Sequence, residues 1–356
     1  MKDRIYICHT FYHVYISVIK ELNLPREARS NASIILSTMS NDFGNLDVKL
    51  KKCGLFEEVF LFDEKEDVSL PEVMKYHTDR GNLLLNLIQR IRYTKALGMA
   101  QEEYIPVDLK QYKDIYVFCD SDPIGFYLNY KKIRYHAVED GLDTILYCDS
   151  ARYSNIGHFG IKAFMARLGL IFIENGYSKY CIDMEVNNVR DIKYPMHFYK
   201  EVPRKVLTDN VSETDRYYLT DIFMEDPDRL LAQVAQIDSD RRKVLILSDP
   251  VCDLDTRKII MRDIINEYGQ NSAVFIKPHP RDVLDYESED FADCIVLKGR
   301  FPMEIMNYFP ELHMDLALSI FTTVDSIEFA DEKRKLGADF MDKYEDPAIH
   351  RENEQI

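Results

Sequence analysis

Short apolar runs that alternate with helical segments restrict the fold of this chain more than any other feature of its sequence. Runs typical of β-strands lie at residues 4–8, 33–36, 58–61, 115–119, 133–138, 244–247, 272–276, 294–297 and 314–320. Helical patterns separate most of these runs, as in residues 11–22 and 257–268. Alternation of this kind favours a parallel sheet with helices on both faces. The sequence therefore predicts an α/β fold with doubly wound parallel sheets.

The length of the chain is that of two globular domains. It has 356 residues, of which 46% are hydrophobic and 30% are charged. Residues 194–208 contain prolines and basic residues without clear periodicity, which is typical of a linker. We predict an N-terminal domain at 1–200 and a C-terminal domain at 201–356. A long helical region at 70–99 is expected to pack its leucines and isoleucines onto the first sheet.

The charge and the cysteines indicate the surroundings of the protein. A formal net charge of −16 argues against non-specific nucleic-acid binding and against attachment of the whole surface to an anionic membrane. The net charge does not exclude a local basic patch. The seven cysteines are scattered without a C-x-x-C pair, so we predict neither zinc nor a disulfide framework. The N-terminus lacks the apolar region of a signal peptide, and no run of about 18 apolar residues is present. These observations predict a cytoplasmic protein without a transmembrane segment.

A proline-rich turn follows the strand at 272–276 and contains Lys277-Pro278-His279-Pro280-Arg281. The two prolines fix φ and stiffen the turn, which holds His279 at the carboxyl end of the strand. Ligands bind at that end in open α/β sheets. An imidazole between two cations suits a phosphate group, and the alternative is a histidine that only caps the strand.

The acidic turn Glu139-Asp140-Gly141 follows the strand at 133–138. Gly141 permits a sharp turn that directs the two carboxylates away from the end of the strand. A carboxylate in such a position can take a proton from a hydroxyl nucleophile. The alternative is an ordinary acidic turn without a catalytic role.

A second acidic group, Asp120-Ser121-Asp122-Pro123, has the D-x-D spacing with which some sugar-transferring enzymes hold a divalent metal. Proline is favoured at the first position of a helix, and Asp122 is placed to cap that helix. The capping interpretation is preferred, so no metal site is predicted here.

The first strand ends in His9-Thr10, and Thr10 is a good N-cap for the helix that follows. No G-x-G-x-x-G motif is present, so a dinucleotide fingerprint is absent from this junction. His9, Thr10 and His13 are expected near the carboxyl edge of the sheet. We predict that His9 and Thr10 contact substrate and that His13 is a half-buried capping residue.

The second half of the chain contains three further groups of polar candidate residues, two of them at strand ends. The strand at 244–247 ends in Ser248-Asp249, and Asp253 follows shortly afterwards. Glu304 lies in the first turn of a short predicted helix, where a carboxylate is favoured. The strand at 314–320 ends in Thr322-Thr323 before a predicted helix, whose free N–H groups would form an anion site. Plain N-capping by the threonines is compatible with that role. Beyond residue 328 the charged sequence predicts a helix.

The order of these motifs resembles that of the bacterial sialyltransferases, which share a D/E-D/E-G motif, an H-P motif and a serine/threonine motif. The segments Ile7-Cys8-His9-Thr10 and Ile276-Lys277-Pro278-His279-Pro280-Arg281-Asp282 are most similar to glycosyltransferase family 52, which contains lipooligosaccharide and capsule sialyltransferases. The resemblance extends from about Ile5 to about Phe329. Its distinctive part is the set of short motifs.

This resemblance implies a GT-B fold, in which two Rossmann-like domains face each other across a cleft. It implies CMP-N-acetylneuraminate as the donor, inversion at the anomeric carbon, and neither a metal ion nor another cofactor. Asp140 would be the general base, with Asp253 as the second candidate because some members use an aspartate before the H-P motif. His279 would bind and stabilise the departing CMP phosphate. Donor-binding residues would be Lys277, Pro280, Glu304 (on the ribose), Thr322 and Thr323 (on the phosphate), Ser248 and Asp249.

The partners expected from the resemblance are a nucleotide-sugar donor and an oligosaccharide or glycolipid acceptor. The resemblance is compatible with peripheral association at the inner face of the plasma membrane. It is also compatible with a homodimer. One rival is a transferase of the CDP-glycerol type, which also carries a K-P-H-P motif. A second rival is a non-catalytic subunit of glycan assembly that keeps the fold. A third is a metal-dependent glycosyltransferase that uses Asp120 and Asp122.

Overall fold

The structure is a computed structural model that describes residues 2–118, 120–140, 149, 155–322, 324 and 327–350. The chain divides into two compact units, Met1–Asp215 and Arg216–Ile356. Each unit contains one β-sheet whose neighbouring strands are parallel, with helices in the connections. The predicted α/β class with two parallel sheets is confirmed.

The first unit is built on a seven-stranded sheet with the strand order β3-β2-β1-β4-β5-β6-β7. Its strands are β1 (Lys2–Cys8), β2 (Ala32–Ser37), β3 (Glu58–Phe62), β4 (Tyr112–Val117), β5 (Tyr135–Val138), β6 (Cys181–Val186) and β7 (Tyr199–Glu201). The central strand β1 pairs Ile7 with Ile35 of β2 and with Val117 of β4. These three side chains are fully buried, and burial of each contributes about 1.5–3 kcal/mol. The near-continuous apolar runs in the sequence are therefore strands buried on both faces.

The helices of the first unit are α1 (Phe11–Leu22), α2 (Leu46–Cys53), α3 (Pro71–Met74), α4 (Leu83–Ala100), α5 (Pro123–Lys131), α6 (Phe159–Arg167) and α7 (Arg204–Asp209). Helix α1 begins after Thr10, whose hydroxyl accepts a hydrogen bond from the backbone N–H of His13. Helix α5 begins with Pro123 directly after Asp122, as the sequence predicts, but the Asp122 side chain makes no capping hydrogen bond to this helix. Within the described residues, no helix combines the length and the apolar character that crossing a bilayer requires.

Residues 201–215, which the sequence analysis assigned to the second domain, belong to the first unit. Polar contacts tie them to α1 and to the chain that follows it. The Asn23 side chain donates to the Leu207 carbonyl at 2.9 Å, and Arg29 forms an ion pair with Asp215 at 3.0 Å. A pattern of prolines and basic residues does not reveal such contacts.

The second unit is built on a five-stranded parallel sheet with the order β10-β9-β8-β11-β12. Its strands are β8 (Arg242–Leu247), β9 (Ser272–Lys277), β10 (Cys294–Val296), β11 (Met314–Ser319) and β12 (Ala330–Lys335). Its helices are α8 (Arg216–Phe223), α9 (Pro227–Ala235), α10 (Leu254–Tyr268), α11 (Gly337–Met341) and α12 (Pro347–His350). All six residues of β9 are buried, and the sheet brings the ends of β8, β9 and β11 to one edge.

The prediction of a helix beyond residue 328 is wrong at its start, because β12 occupies Ala330–Lys335. This edge strand pairs with β11 and buries only Ala330, while its five other residues are exposed. An edge strand held mainly by backbone hydrogen bonds can carry charged residues, which also discourage pairing with another chain. The charge pattern therefore did not distinguish it from a solvent-exposed helix.

Helix α4 lies where the helical region was predicted, but it buries Leu97 and leaves Leu84, Leu85, Ile88 and Ile91 exposed. Leu84 is 66% exposed and Ile91 is 41% exposed. The buried residues of α4 include the polar Gln89 and Thr94. The helix also contacts α5, where the small residue Gly98 lets the two backbones approach closely.

The close approach of α4 to α5 predicts that Gly98→Ala destabilises the protein. A Cβ atom at Gly98 would lie 2.4 Å from the Phe126 carbonyl oxygen, so the helices must separate. We expect a loss of about 1–3 kcal/mol in the free energy of unfolding, measured by denaturant titration. The matched control is Gly160→Ala in α6, where a Cβ meets no atom within 4 Å. Equal stability changes in the two variants would contradict the close helix contact.

Candidate active site

Polar side chains gather at the carboxyl edge of each sheet. In the first unit they follow β1, β3, β4 and β5, and in the second unit they follow β8, β9 and β11. Each group is described within its own unit.

His13 is the residue that organises the edge of the first sheet. Its Nδ1 atom accepts hydrogen bonds from the backbone N–H groups of His9 (3.0 Å) and Thr10 (3.3 Å). An atom that accepts two N–H donors carries no proton, so the proton of the ring is on Nε2. That Nε2 atom is hydrogen-bonded to Oδ1 of Asp140. His13 is therefore more than the half-buried cap that the sequence predicted, because its fixed tautomer donates to Asp140.

The surroundings of His13 keep the imidazole neutral. The ring is fully buried and stacks on Phe118, with 4.7 Å between the ring centroids. Burial lowers the pKa of His13 and outweighs the opposing effect of the Asp140 carboxylate. A neutral donor of fixed orientation is the result.

The two carboxylates of the acidic turn have different environments. Glu139 is buried, accepts the backbone N–H of Asn187 at 2.6 Å, and has a pKa that burial raises. The Asp140 side chain remains 37% exposed while it contacts His13. Glu139 thus holds the backbone at Asn187, and Asp140 is the carboxylate that remains partly exposed to solvent. Gly141 lies outside the described residues.

His9 lies in a buried network of charges instead of at an exposed surface. Its Nε2 atom is 2.8 Å from Oε2 of Glu64 and 3.4 Å from Oδ2 of Asp122. The Glu64 carboxylate also accepts from Ser37 Oγ and from the backbone N–H of Ile124, each at 2.6 Å. Burial alone would lower the pKa of His9, but the two carboxylates outweigh it and raise the pKa to about 9. The network joins the ends of β1 and β2 to the start of α5, and the contact of His9 with substrate stays a prediction.

Asp120 of the D-x-D sequence is engaged by its own unit. The carboxylate accepts from the Tyr135 hydroxyl (2.7 Å) and from the backbone N–H groups of Asn175 (2.6 Å) and Gly176 (3.0 Å). Burial raises its pKa to about 6 in spite of these hydrogen bonds. Asp122 lies at the start of α5 and beside His9. Each of the two aspartates therefore has a role in the packing of this edge.

In the second unit, the helix predicted after Thr322 and Thr323 is absent from the described residues before β12, and Asp249 binds the backbone N–H groups at 320–322 instead. Its Oδ2 atom accepts the N–H groups of Ile320 (3.0 Å) and Phe321 (3.1 Å), and Oδ1 accepts the N–H and hydroxyl groups of Thr322. Successive backbone N–H groups form an anion-binding concavity, which this carboxylate fills. Asp249 and Thr322 are thus brought together, while Thr323 lies outside the described residues.

The proline-rich turn holds His279 in one tautomer. The imidazole Nδ1 atom accepts the backbone N–H of Arg281 at 3.1 Å, so the ring proton is on Nε2. The backbone N–H of His279 donates to Ser248 Oγ at 2.9 Å, and Ser248 donates to Asp282 at 2.6 Å. Burial and the neighbouring Arg281 lower the pKa of His279. His279 is therefore a neutral hydrogen-bond donor at the end of β9.

The carboxylate of Asp282 supports this turn. It forms an ion pair with Arg257 at 2.6 Å and accepts the Tyr286 hydroxyl at 2.8 Å. Arg257 also donates to the carbonyl groups of Val251 and Cys252, so α10 is tied to the loop after β8. The sequence analysis gave no role to Arg257 or Tyr286, which stand outside the motifs.

Lys277 is directed into the protein. The side chain is 96% buried, Nζ donates to the Gly299 carbonyl at 2.9 Å, and the ammonium lies 4.2 Å from the centroid of the Phe301 ring. Burial lowers its pKa to about 7. Lys277 thereby connects β9 to the segment that leads to Glu304, whose pKa burial raises. Pro280 is exposed beside this turn.

Asp253 has a local structural role. It caps α10, with the backbone N–H and the hydroxyl of Thr256 donating at 3.0 and 2.8 Å. These hydrogen bonds lower the pKa of the Asp253 carboxyl. A weakened base in an exposed cap is less suited to proton abstraction than a carboxylate beside a histidine.

Sequence reasoning missed the hydrogen bond between His13 and Asp140, although a signal for part of it was present. Thr10 and His13 have the spacing of a capping box, in which the third residue of the helix returns to the N-cap backbone. A histidine in place of the usual glutamate has a second ring nitrogen with which to contact another residue. The partner of that nitrogen lies 127 positions away in the chain, so local spacing does not identify it.

Known proteins resemble this chain in sequence and in fold. The sequence model of Glycosyltransferase family 52 matches residues 74–327. No curated protein matches the sequence significantly. The fold is similar to that of the α/β-galactoside α-2,3-sialyltransferase of the luminous marine bacterium Photobacterium phosphoreum, with a TM-score of 0.52 and 12% identity over 92% of this chain and 88% of that chain. This likeness shows that the chain has the GT-B type of α/β fold.

Two further solved structures are similar at lower scores. The GT-B domain of the sialyltransferase of Photobacterium damselae has a TM-score of 0.46 and 14% identity over 90% of this chain and 86% of that chain. The UDP-GlcNAc 2-epimerase of Neisseria meningitidis has a TM-score of 0.45 and 11% identity over 89% of this chain and 77% of that chain.

The raised pKa of His9 predicts a pH-dependent contribution to stability. The folded-state pKa of about 9 lies above the ordinary value of 6.5, so the stabilisation is fully present below pH 6.5 and is lost as the pH rises through about 9. We expect the stability difference between the native chain and His9→Gln to shrink across this window by about 3 kcal/mol. Denaturant titrations at several pH values measure it. A difference that is constant across the window would show that His9 is neutral in the fold.

Proposed function

Because the chain belongs to glycosyltransferase family 52, we propose that it transfers N-acetylneuraminate from CMP-N-acetylneuraminate to an acceptor hydroxyl, with inversion and without a metal ion. The proposed acceptor is a terminal galactose of a bacterial surface glycan. The observation that carries the proposal is the fixed tautomer of His279, which presents Nε2–H at the end of β9. A neutral N–H donor is suited to a phosphate that gains negative charge as it leaves.

His279 would act on the leaving group. When the bond between the anomeric carbon and the phosphate oxygen breaks, the electron pair goes to that oxygen. A preorganised N–H donor stabilises the developing charge without reorganisation, and the loss of one such donor typically costs roughly a hundred- to a thousandfold in rate. Ser248 and Asp282 hold the backbone of the turn, so we assign them positioning roles. Since CMP carries one phosphate, a donor of this kind can serve where diphosphate donors often need a metal.

Asp140 would act on the acceptor. Its carboxylate takes the proton of the acceptor hydroxyl as the oxygen forms a bond to the anomeric carbon, on the face opposite the leaving phosphate. His13 orients the carboxylate through its Nε2–H group. Because the Nδ1 atom of His13 already accepts two backbone N–H groups, it offers no place for a second proton. The proton would therefore stay on Asp140 until product release.

Donor recognition would involve the other residues at the edge of the second sheet. We assign Glu304 to the ribose of CMP, because it is half-buried and ends the segment that Lys277 holds. Asp249 accepts the N–H and hydroxyl groups of Thr322, so we assign Asp249 a positioning role in the turn after β11. A cytoplasmic location and a role in capsule or lipooligosaccharide synthesis belong to the same proposal.

The donor can be tested directly against the CDP-glycerol alternative. We expect CMP to raise the melting temperature more than CDP, UDP or GDP, since a ligand at 100 times its Kd adds about 2.7 kcal/mol.

The enzyme should release CMP from CMP-N-acetylneuraminate in EDTA and leave CDP-glycerol intact. Turnover of CDP-glycerol alone would replace the proposed donor. Activity that EDTA stops and Mn²⁺ restores would favour the metal-dependent alternative, and CMP binding without turnover would favour a non-catalytic subunit.

His279→Ala should lower kcat by about a hundred- to a thousandfold, because the departing phosphate loses its donor. Sialyl transfer to a galactoside is measured together with circular dichroism to confirm the fold. His313→Ala is the matched control, since His313 is an exposed histidine of the same unit that pairs with Asp331. Near-native turnover in folded His279→Ala would remove His279 from the mechanism.

Asp140→Asn and Asp253→Asn distinguish the two candidate bases. Asparagine keeps the shape of each side chain, and at residue 253 it also remains a good N-cap. We expect Asp140→Asn to reduce kcat by about 10²–10⁴-fold and Asp253→Asn to change it little. The opposite ranking would assign the base to the loop before α10.

A further inference from the structure

We propose that Arg204 of the first unit binds the carboxylate of the N-acetylneuraminate group that is transferred. Arg204 is the first residue of α7 and follows β7 at the carboxyl edge of the sheet. The sequence analysis placed this residue in the predicted linker and gave it no role. The inference rests on the proposed function and adds to it a residue that selects an anionic sugar.

Two hydrogen bonds connect Arg204 to the acidic turn. The N–H group of Arg204 donates to Asn187 Oδ1 at 2.9 Å, and the N–H group of Asn187 donates to Glu139 Oε2 at 2.6 Å. Glu139 directly precedes Asp140 in the chain. Helix α7 also contacts α1, the helix that contains His13. Arg204 is therefore connected, through Asn187, to the turn that carries the candidate base.

The charge of Arg204 acts on the neighbours of Asp140. Burial has the largest effect on two pKa values, lowering that of His13 and raising that of Glu139. The positive charge of Arg204 is one of the charges that lower both pKa values. A cation has this effect because it opposes the protonation of an imidazole and favours the ionised form of a carboxyl group. The guanidinium thus lies close enough to act on both residues.

The two terminal nitrogens of this guanidinium have no protein partner. Nη1 and Nη2 of Arg204 are shielded from solvent and make no hydrogen bond within the part of the chain that the structure describes. Arg29 of the same unit, by contrast, pairs with Asp215 at 3.0 Å and donates to two backbone carbonyl groups. Buried charged donors are costly when they are unpaired, so an anion that binds to Arg204 would satisfy them.

Arg204 does not occupy the Asp140 carboxylate. The donor to Asp140 is Nε2 of His13, and the terminal nitrogens of Arg204 make no hydrogen bond to it. A direct ion pair with arginine would lower the pKa of the carboxyl group and weaken it as a base. The separation therefore leaves Asp140 able to accept a proton and leaves the guanidinium available for a ligand.

The chemistry of the proposed reaction identifies that ligand. A guanidinium presents parallel N–H groups that match the two oxygens of a carboxylate. In N-acetylneuraminate the anomeric carbon itself carries a carboxylate. The acceptor oxygen that Asp140 deprotonates forms its bond to this same carbon, so the carboxylate of the donor lies near Asp140 during transfer. A guanidinium beside the acidic turn is therefore suited to hold it.

Arg204→Gln tests the inference in transfer to lactose, a neutral acceptor. The KM for CMP-N-acetylneuraminate should rise about ten- to a hundredfold, because a charge-assisted hydrogen-bonded pair is lost. We expect kcat to change less than about threefold, since the carboxylate is held before and during the reaction alike. Arg204→Lys keeps the charge without the planar fork and should restore part of the affinity.

The matched control is Arg190→Gln, which removes an exposed arginine just after β6 in the same unit and should keep the native KM. The melting-temperature shift caused by CMP alone should be the same in Arg204→Gln as in the native chain, because CMP lacks the sugar. Circular dichroism shows that each variant is folded.

A donor whose carboxylate is masked as its methyl ester separates carboxylate binding from a structural role. The native chain should use the ester about ten- to a hundredfold less efficiently than CMP-N-acetylneuraminate, whereas Arg204→Gln should use both donors about equally. A structural role of Arg204 would instead lower kcat/KM for both donors by the same factor.

A native KM in Arg204→Gln, or an equal loss with both donors, would overturn the inference, while transfer by the native chain would still uphold the proposed function. An effect confined to an acceptor that carries its own carboxylate, such as sialyllactose, would overturn the assignment to the donor and place the acceptor at Arg204.

A native chain that transfers no N-acetylneuraminate would overturn the proposed function, and direct binding would then decide the role of Arg204. Isothermal titration with N-acetylneuraminate and its methyl ester measures it. Preference of the native chain for the acid, lost in Arg204→Gln, would support the carboxylate site. The same binding behaviour in both chains would overturn it.

Discussion

Backbone N–H groups that donate to histidine Nδ1 atoms determine the chemistry at both sheet edges. His13 receives two such bonds from the residues that precede α1, and His279 receives one from Arg281 in the proline-rich turn. Each imidazole is therefore neutral in one tautomer and presents Nε2–H outward from its own turn. In the first unit this proton is donated to Asp140, and in the second unit His279 is half-buried at the end of β9. The backbone N–H groups that donate to each Nδ1 atom are set by the path of the backbone, because the turn places them within hydrogen-bond distance.

The buried charges at the same edges stabilise the loops that carry these histidines. An unpaired buried charge is costly, so each one needs specific partners. Glu64 pairs with His9 and also accepts a backbone N–H at the start of α5, and Asp249 accepts three backbone N–H groups after β11. Lys277 instead has carbonyl oxygens and an aromatic ring as neighbours. In each case a side chain from one strand end fixes the backbone of another, which holds several loops in one arrangement.

The roles of the acidic residues show which contacts a local sequence pattern predicts and which it does not. The D-x-D sequence and the acidic turn at 139–140 look alike as sequences, yet Asp120 is held by three donors and Asp140 contacts a histidine. Asp253, predicted as the second candidate base, caps α10 through Thr256, a neighbour in the chain. The donors that surround Asp249 come from residues 320–322, which no local pattern connects to it. Local chemistry was therefore predictable, and partners distant in sequence were not.

The amino-acid sequence by itself determined the α/β class, the positions of most strands and the turn that carries His279, because apolar periodicity and the fixed φ of proline act over a few neighbouring residues. Only the tertiary structure decided that Asp140 lies beside His13, that 330–335 is an edge strand, and that α4 exposes its apolar side. These outcomes depend on which distant segments pack together. In α4, Gly98 allows close contact with α5 and Leu97 is buried, whereas Leu84 and Leu85 are exposed.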